Sequence, residues 1–331
     1  MFTRLPADIG LPQVPVWWPL PVLGLSGLLV GLVIRYLPGT GGHEPAEGFK
    51  PAGVVTPVEL PGIILAAAAT LGLGVVLGPE GPLIAVGSGL GVLAVGLLKR
   101  DAPAQALMVI AAAASFAVIS TLLGSPLAAA FLLMEASGIG GPMLGVVLVP
   151  GLLAAGIGSL IFIGLDNLSG FGMFSLAIPD IPAFGTPTVV EFVWAIAIGL
   201  AAAVVGGGIR WLALALQPVV ARHRVSLTPL AGLSIGALAV VFALVSGRSS
   251  TNVLFSGQSA LPSLIEHAGD WTAGALVLLI VCKGLAYIAA LSGFRGGPTF
   301  PAMFIGAAGG IALAELPGLP MIADAAMGSV P

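Results

Sequence analysis

Charge is what this sequence has least of. Asp, Glu, Lys and Arg make up 8% of its 331 residues, against about 25% in soluble domains. That scarcity excludes an ordinary soluble fold, and with 58% hydrophobic residues it places most of the chain in lipid. A formal net charge of −3 and the lack of any basic tract leave nothing to hold nucleic acid. A single cysteine, Cys282, excludes an internal disulfide and a cysteine-based metal cluster. His43, His223 and His267 stand among loop-like residues without ligand spacing, so neither a metal site nor a cofactor is expected. No nucleophile–base pair lies in the apolar segments, which argues against an enzyme. Met1–Pro15 lacks a basic start followed by an apolar core, so no cleavable leader is expected.

What is abundant is uncharged chain. Runs without an acidic or basic side chain cover Leu60–Pro79, Gly81–Leu98, Ala102–Met134, Ala136–Leu165, Phe192–Ile209, Val225–Gly247 and Gly296–Ala314. Each reaches or nearly reaches the roughly 20 residues a helix needs to cross a bilayer. The two longest have room for two segments each, so about ten to twelve membrane segments are expected, some of them re-entrant. The alternating pattern of a membrane β-barrel is absent. The fold class is therefore an all-α polytopic membrane protein. Lys99-Arg100 and Arg222-His223-Arg224 mark cytoplasmic loops by the positive-inside tendency. Residues 1–331 read as one transmembrane domain: a first half over about 1–165, a polar Gly-, Pro- and Ser-rich connection over 166–191, and a second half over about 192–331.

Within the stretch GVVLGPEGPLIAVGSGLG, residues 74–91, stands one acid, Glu80. It is the only ionisable residue between Glu59 and Lys99. A charge at the bilayer centre costs about 2.5–3.5 kcal/mol on insertion scales, so a pocket rich in donors must receive it. The prolines and glycines around it break a helix at membrane depth. Such a break leaves up to four N–H groups unpaired at the positive end of the helix dipole, a ready site for an anion. Three stretches have this character: GTGG (39–42), GPEGP (78–82) and GGPTFP (296–301). Each is expected to start a half-helix, and the three are expected to meet in one cavity. Two of them are followed by the same template, P-x4-G-x3-G, with Gly87 and Gly91 matched by Gly306 and Gly310. Interrupted helices at corresponding points of two halves point to a transport site. Glu80 would then plug that site, compete with the permeant anion and leave when protonated; the alternative is a neutral acid bonding between helices.

GPEGP resembles the G-[KR]-E-G-P motif of the ClC chloride channels and chloride/proton antiporters, GGPTFP their G-G-x-F-x-P, and GTGG their G-S-G-I-P. GSPLAAAFLLMEAS at 124–137 is similar to a fourth family helix that closes on a glutamate, here Glu135. The four motifs stand in the family's order. The resemblance implies two inverted halves with interrupted and re-entrant helices, and a homodimer with one anion pathway per subunit. It implies that Glu80 is the gate and that anion contacts come from Thr40, Gly41, Gly81, Thr299 and Phe300. Gly39, Gly78, Pro82, Gly296, Gly297 and Pro301 would shape the helix starts. It places the subunit contact in Ala102–Leu165 and the protein in lipid, at the plasma (inner) membrane of a prokaryote, with chloride or a related anion and protons as partners.

The departures from the pattern matter as much. Pro79 replaces the family's basic residue. Pro298 has no N–H, so Thr299 and Phe300 must supply the donors. The antiporters' internal glutamate has no match; Asp166 lies near its place but out of register and reads as a loop residue. The family's first and last helices, with the pore-mouth tyrosine, have no counterpart, and Tyr36 and Tyr287 fit other positions. Lys283 and Arg295, flanking GLAYIAALSGF, read as snorkelling or loop-facing cations, the alternative being a substrate-facing pair. Chloride permeation by a channel or uncoupled transporter is the favoured function. The alternatives are a chloride/proton antiporter, a carrier of another anion such as fluoride or nitrate, and a truncated scaffold without transport.

Overall fold

The computed structural model describes residues 14–48, 54–137, 142–169 and 189–313. Among the described residues the chain is helical, with no strand and one isolated two-residue bridge. The helices are α1 (Pro19–Tyr36), α2 (Leu60–Gly72), α3 (Glu80–Leu98), α4 (Ala104–Leu123), α5 (Pro126–Ser137), α6 (Pro142–Ser169), α7 (Val189–Arg222), α8 (Arg224–Ser246), α9 (Leu261–Glu266), α10 (Ala273–Gly293) and α11 (Thr299–Leu313). Short 3-10 turns lie between them.

Seven of these helices contain a stretch long and apolar enough to cross a membrane, and α2 and α11 are shorter apolar helices of 13 and 15 residues. The protein is an integral membrane protein. Among the described residues, seven full spans and these two shorter helices stand against the ten to twelve segments, some of them re-entrant, expected from run length. Ala136–Leu165 does not divide: α6 runs through Pro150 without a break. Ala102–Met134 yields one span and a 12-residue helix. The divide falls at Gly124, left-handed at φ 67°, followed by Ser125 and Pro126. Asp166, expected in a loop, lies in the last turns of α6. The expected polar connection is helical at both described ends, and residues 170–188 lie outside the described residues.

Glycine sets the helix packing. At the crossing of α1 and α8, a Cβ on Gly27 would run into the Thr228 backbone and one on Gly232 into the Leu23 carbonyl. Gly31 and Gly236 sit against backbone of the opposite helix in the same way. These are two small-xxx-small stripes, Gly27/Gly31 and Gly232/Gly236, packed against each other as membrane helices favour. Gly87 and Gly91 of α3 likewise pack on Ala114 of α4. Their sequence counterparts on α11, Gly306 and Gly310, have nothing within 4 Å. Among the described residues, the repeated template therefore serves packing in one copy and not in the other.

α10 is the most enclosed span: Cys282, Lys283, Ala286, Tyr287, Ala290 and Leu291 are all buried. It runs into Phe294 and Arg295 and so carries the start of α11 at its end.

Candidate anion site

Two of the three Gly/Pro breaks meet directly. Gly78 N–H donates to Gly297 O at 2.8 Å, and Gly297 N–H returns the bond to Gly78 O at 2.6 Å. Past each glycine a helix begins, α3 at Glu80 and α11 at Thr299. The reciprocal pair thus joins two helix starts that are more than 200 residues apart in sequence.

Glu80 lies across this junction. Its Oε1 accepts from Thr299 N–H at 2.8 Å and from Phe300 N–H at 3.0 Å. Those are the first two N–H groups of α11, which no intrahelical carbonyl can satisfy. Pro298 and Pro301 on either side have none to offer. A carboxylate here also sits at the positive end of the α11 dipole. Glu80 is 1% exposed, and its Oε2 is buried with no hydrogen-bond partner among the described residues. The carboxylate folds back so closely that a Cβ on either Gly78 or Gly297 would overlap it. Neither glycine has a positive φ. What requires glycine at both positions is room for Glu80.

Gly81, in the first turn of α3, faces the Gly296 carbonyl, which would lie 2.9 Å from a Cβ added there. Pro82 follows it in the same turn, where its missing N–H leaves no bond unmade. Thr299 and Phe300 are the donors that loss of the Pro298 N–H calls for.

GTGG is built differently from the expectation. Residues 38–41 form a 3-10 turn after α1, and Gly39, Thr40, Gly41 and Gly42 all have positive φ. Four such residues in a row cannot open a right-handed helix, so this stretch closes α1 and starts no half-helix. A Cβ at Gly39 would strike Glu59, and one at Gly41 would press on Ala66 and Arg295. Arg295 ties the turn to the site: its Nε donates to Thr40 O at 3.1 Å. One residue later the chain enters Gly296 and Gly297. The third break is therefore joined to the other two through a guanidinium.

Glu44 carries no signal in the sequence, and the motifs give Arg295, Lys283 and Tyr287 no place in the site. Glu44 binds Arg224 at 2.5 Å and Arg295 at 3.1 Å. Partial burial raises the Glu44 pKa, but the two guanidinium groups outweigh it and hold the carboxyl below its usual range. Arg295 is 2% exposed and does not snorkel. Lys283 is fully buried, with Nζ 3.0–3.2 Å from the carbonyls of Asn252, Val253, Leu254 and Phe255. That is four acceptors around an ammonium with three protons. Both cations do face loops, as expected, but from inside the protein. Tyr287 donates its hydroxyl to Pro298 O at 2.6 Å.

Buried backbone donors at a broken helix, closed by one acid, are an arrangement able to hold an anion. Residues 25–328 match the voltage gated chloride channel family, and the chain belongs to it. YfeO of Escherichia coli O1:K1 / APEC, whose description as an ion-transport protein is itself provisional, is 32% identical over 324 residues. The match covers 97% of this chain and 73% of that one. YfeO of Salmonella paratyphi A is 35% identical over 318 residues, 95% of this chain and 73% of that one. The crystal structure of a CLC-type fluoride/proton antiporter superposes with a TM-score of 0.61 at 23% identity, over 99% of this chain and 72% of that chain. This last likeness is one of fold. The chain is thus a ClC-family membrane protein of anion transport.

Proposed function

We propose that this chain passes chloride or a related anion through a ClC-type pathway in which Glu80 is the gate. The observation that carries the reading is the double hydrogen bond from Thr299 and Phe300 to Glu80 Oε1. Two backbone donors at a helix start make an anion site, and here the protein's own carboxylate fills it. When Glu80 takes a proton or swings out, those N–H groups are free for a permeant anion. Thr40 and Gly41, held to the site by Arg295, and Gly81, against Gly296, complete the wall.

Among modes of transport, a channel or uncoupled transporter is the first reading, because no glutamate matches the family's internal proton relay. Proton-coupled exchange of chloride, or of another anion such as fluoride, is the second. Glu80 Oε2 favours it: a buried carboxylate oxygen without a protein partner is a place for a proton. We further propose a homodimer in the plasma membrane of a prokaryote, as the bacterial relatives suggest. Its subunit contact is placed within Ala102–Leu165 and is tested by light scattering and by cross-linking in lipid.

The deciding experiment is flux of chloride, fluoride and protons measured together in liposomes, for the wild type and Glu80→Gln. The variant keeps the shape and loses the charge, so it should carry anions faster, without pH dependence and without proton coupling. If its flux and pH response match the wild type, Glu80 is a structural acid and the gate reading fails. Proton movement against an anion gradient in the wild type would select the exchanger over the channel. No flux of either anion from either protein would mean that the scaffold does not transport them.

A further inference from the structure

The peptide unit between Pro298 and Thr299 is held from both ends. Its N–H, on Thr299, donates to Glu80 Oε1 at 2.8 Å. Its carbonyl, on Pro298, accepts the Tyr287 hydroxyl at 2.6 Å. No described peptide bond is cis, so the carbonyl and the N–H point in opposite directions. The phenol therefore lies behind the peptide and the carboxylate in front of it. Tyr287 is 5% exposed on α10, and the two elements it joins, α10 and the start of α11, are only a short turn apart.

Donation to a peptide carbonyl draws electron density toward that oxygen and leaves the N–H of the same unit more positive. Hydrogen bonds in series strengthen one another by about 10–30% per bond. The effect has unusual weight here because donors are few: of residues 298–301, the two prolines carry no N–H and only Thr299 and Phe300 do. We propose that Tyr287 is a positioning residue for the anion site, fixing the tilt of the Pro298–Thr299 peptide and strengthening its N–H toward the anion that replaces Glu80. The inference rests on the reading that the place of the Glu80 carboxylate is the anion's place. It assigns to one phenol hydroxyl, out of contact with the anion, part of the affinity of the site.

The chain's tyrosine content makes a sharp test. It has two tyrosines, and Tyr36 is 72% exposed. In a Tyr36→Phe, Glu80→Gln background, growth on 3-fluorotyrosine labels position 287 alone. Fluorination keeps the ring's shape and makes the hydroxyl a stronger donor, whereas Tyr287→Phe removes the donor. The readout is the half-saturating concentration of chloride, and separately of fluoride, for flux into liposomes at mildly acidic pH, where the fluorinated phenol keeps its proton.

Tyr287→Phe should raise half-saturation about two- to fivefold, with maximal flux retained within about twofold. The fluorinated protein should lower it, by about twofold at most. A merely structural tyrosine would not move the two in opposite directions. Equal half-saturation in all three proteins, or a shift of the same sign in both altered ones, overturns the inference while leaving the gate intact. If Tyr287→Phe does not fold, the fluorinated protein, which keeps the native packing, decides alone. Absence of saturable anion flux in the Glu80→Gln background itself refutes the gate reading, and this inference with it.

Discussion

Gly297→Ala should open the pathway without touching the gate residue. The added methyl would overlap the Glu80 carboxylate. The backbone at Gly297 accepts an alanine, because its φ lies outside the left-handed region. The whole cost of the substitution therefore falls on the seated carboxylate. Two hydrogen bonds hold it there, at 2.8 and 3.0 Å, and bonds to a charged acceptor contribute about 1.5–3 kcal/mol each. Loss of even one shifts the balance between seated and displaced Glu80 by about ten- to a hundredfold, since about 1.4 kcal/mol is a factor of ten. The displaced side chain leaves Thr299 and Phe300 free, so anion flux should rise and lose its pH dependence, as in Glu80→Gln, although the glutamate is still present. Chloride efflux from liposomes across a pH series is the assay, with circular dichroism and elution volume confirming the fold. A folded variant with the flux and pH response of the wild type, or with no flux, would refute the reasoning.

Gly306→Ala, by contrast, adds a methyl into open space within α11 and should leave flux unchanged while raising thermal stability by up to about 1 kcal/mol. Gly232→Leu drives a side chain into the Leu23 carbonyl at the α1–α8 crossing and should cost about 3 kcal/mol or more, read as loss of folded protein after detergent extraction. Lys283→Met strands four carbonyls in a buried site and should cost about 3 kcal/mol or more, read as a sharply lower melting temperature, with unchanged affinity for chloride in the protein that folds. For Glu44 the folded pKa lies below the unfolded one, so its contribution is present above the ordinary carboxylate pKa and fades as pH falls through the lowered value. Glu44→Gln should therefore destabilise at neutral pH by about 1–3 kcal/mol and flatten the acid limb of a stability profile, and an unchanged acid limb would count against the arginine pair as its cause.

The core of the site was legible because an ionisable side chain is costly in lipid. A lone acid in an uncharged run, flanked by Gly and Pro, announces a helix start with something to bind. GGPTFP follows the same logic, and the loss of the Pro298 donor pointed to Thr299 and Phe300, whose N–H groups the structure directs at Glu80. GTGG misled because glycine is ambiguous: it permits a helix start and a left-handed turn alike. What decides is the packing of Gly39 on Glu59 and of Gly41 on Ala66, contacts that no local pattern reveals. The Glu44–Arg295 pair joins residues 251 positions apart, and each reads alone as an ordinary loop charge. Tyr287 carries no sign at all, since an aromatic residue on a buried helix is usually core. The division into spans was harder to read for a related reason: hydropathy measures length of apolar chain, whereas Gly124 and the passage through Pro150 decide where it bends.

The reciprocal Gly78–Gly297 bond bears on speed. Carriers that rock one half against the other move many residues per cycle, and such collective motions take microseconds to milliseconds. Here the two helix starts, one from each half of the sequence, are stitched backbone to backbone. Parting them would expose two amide groups with no other partner. If Glu80 is the gate, the moving part of least cost is its single side chain, and side-chain reorientation is intrinsically much faster than domain motion. The ceiling on turnover at this site would be set by how often a proton or an anion arrives.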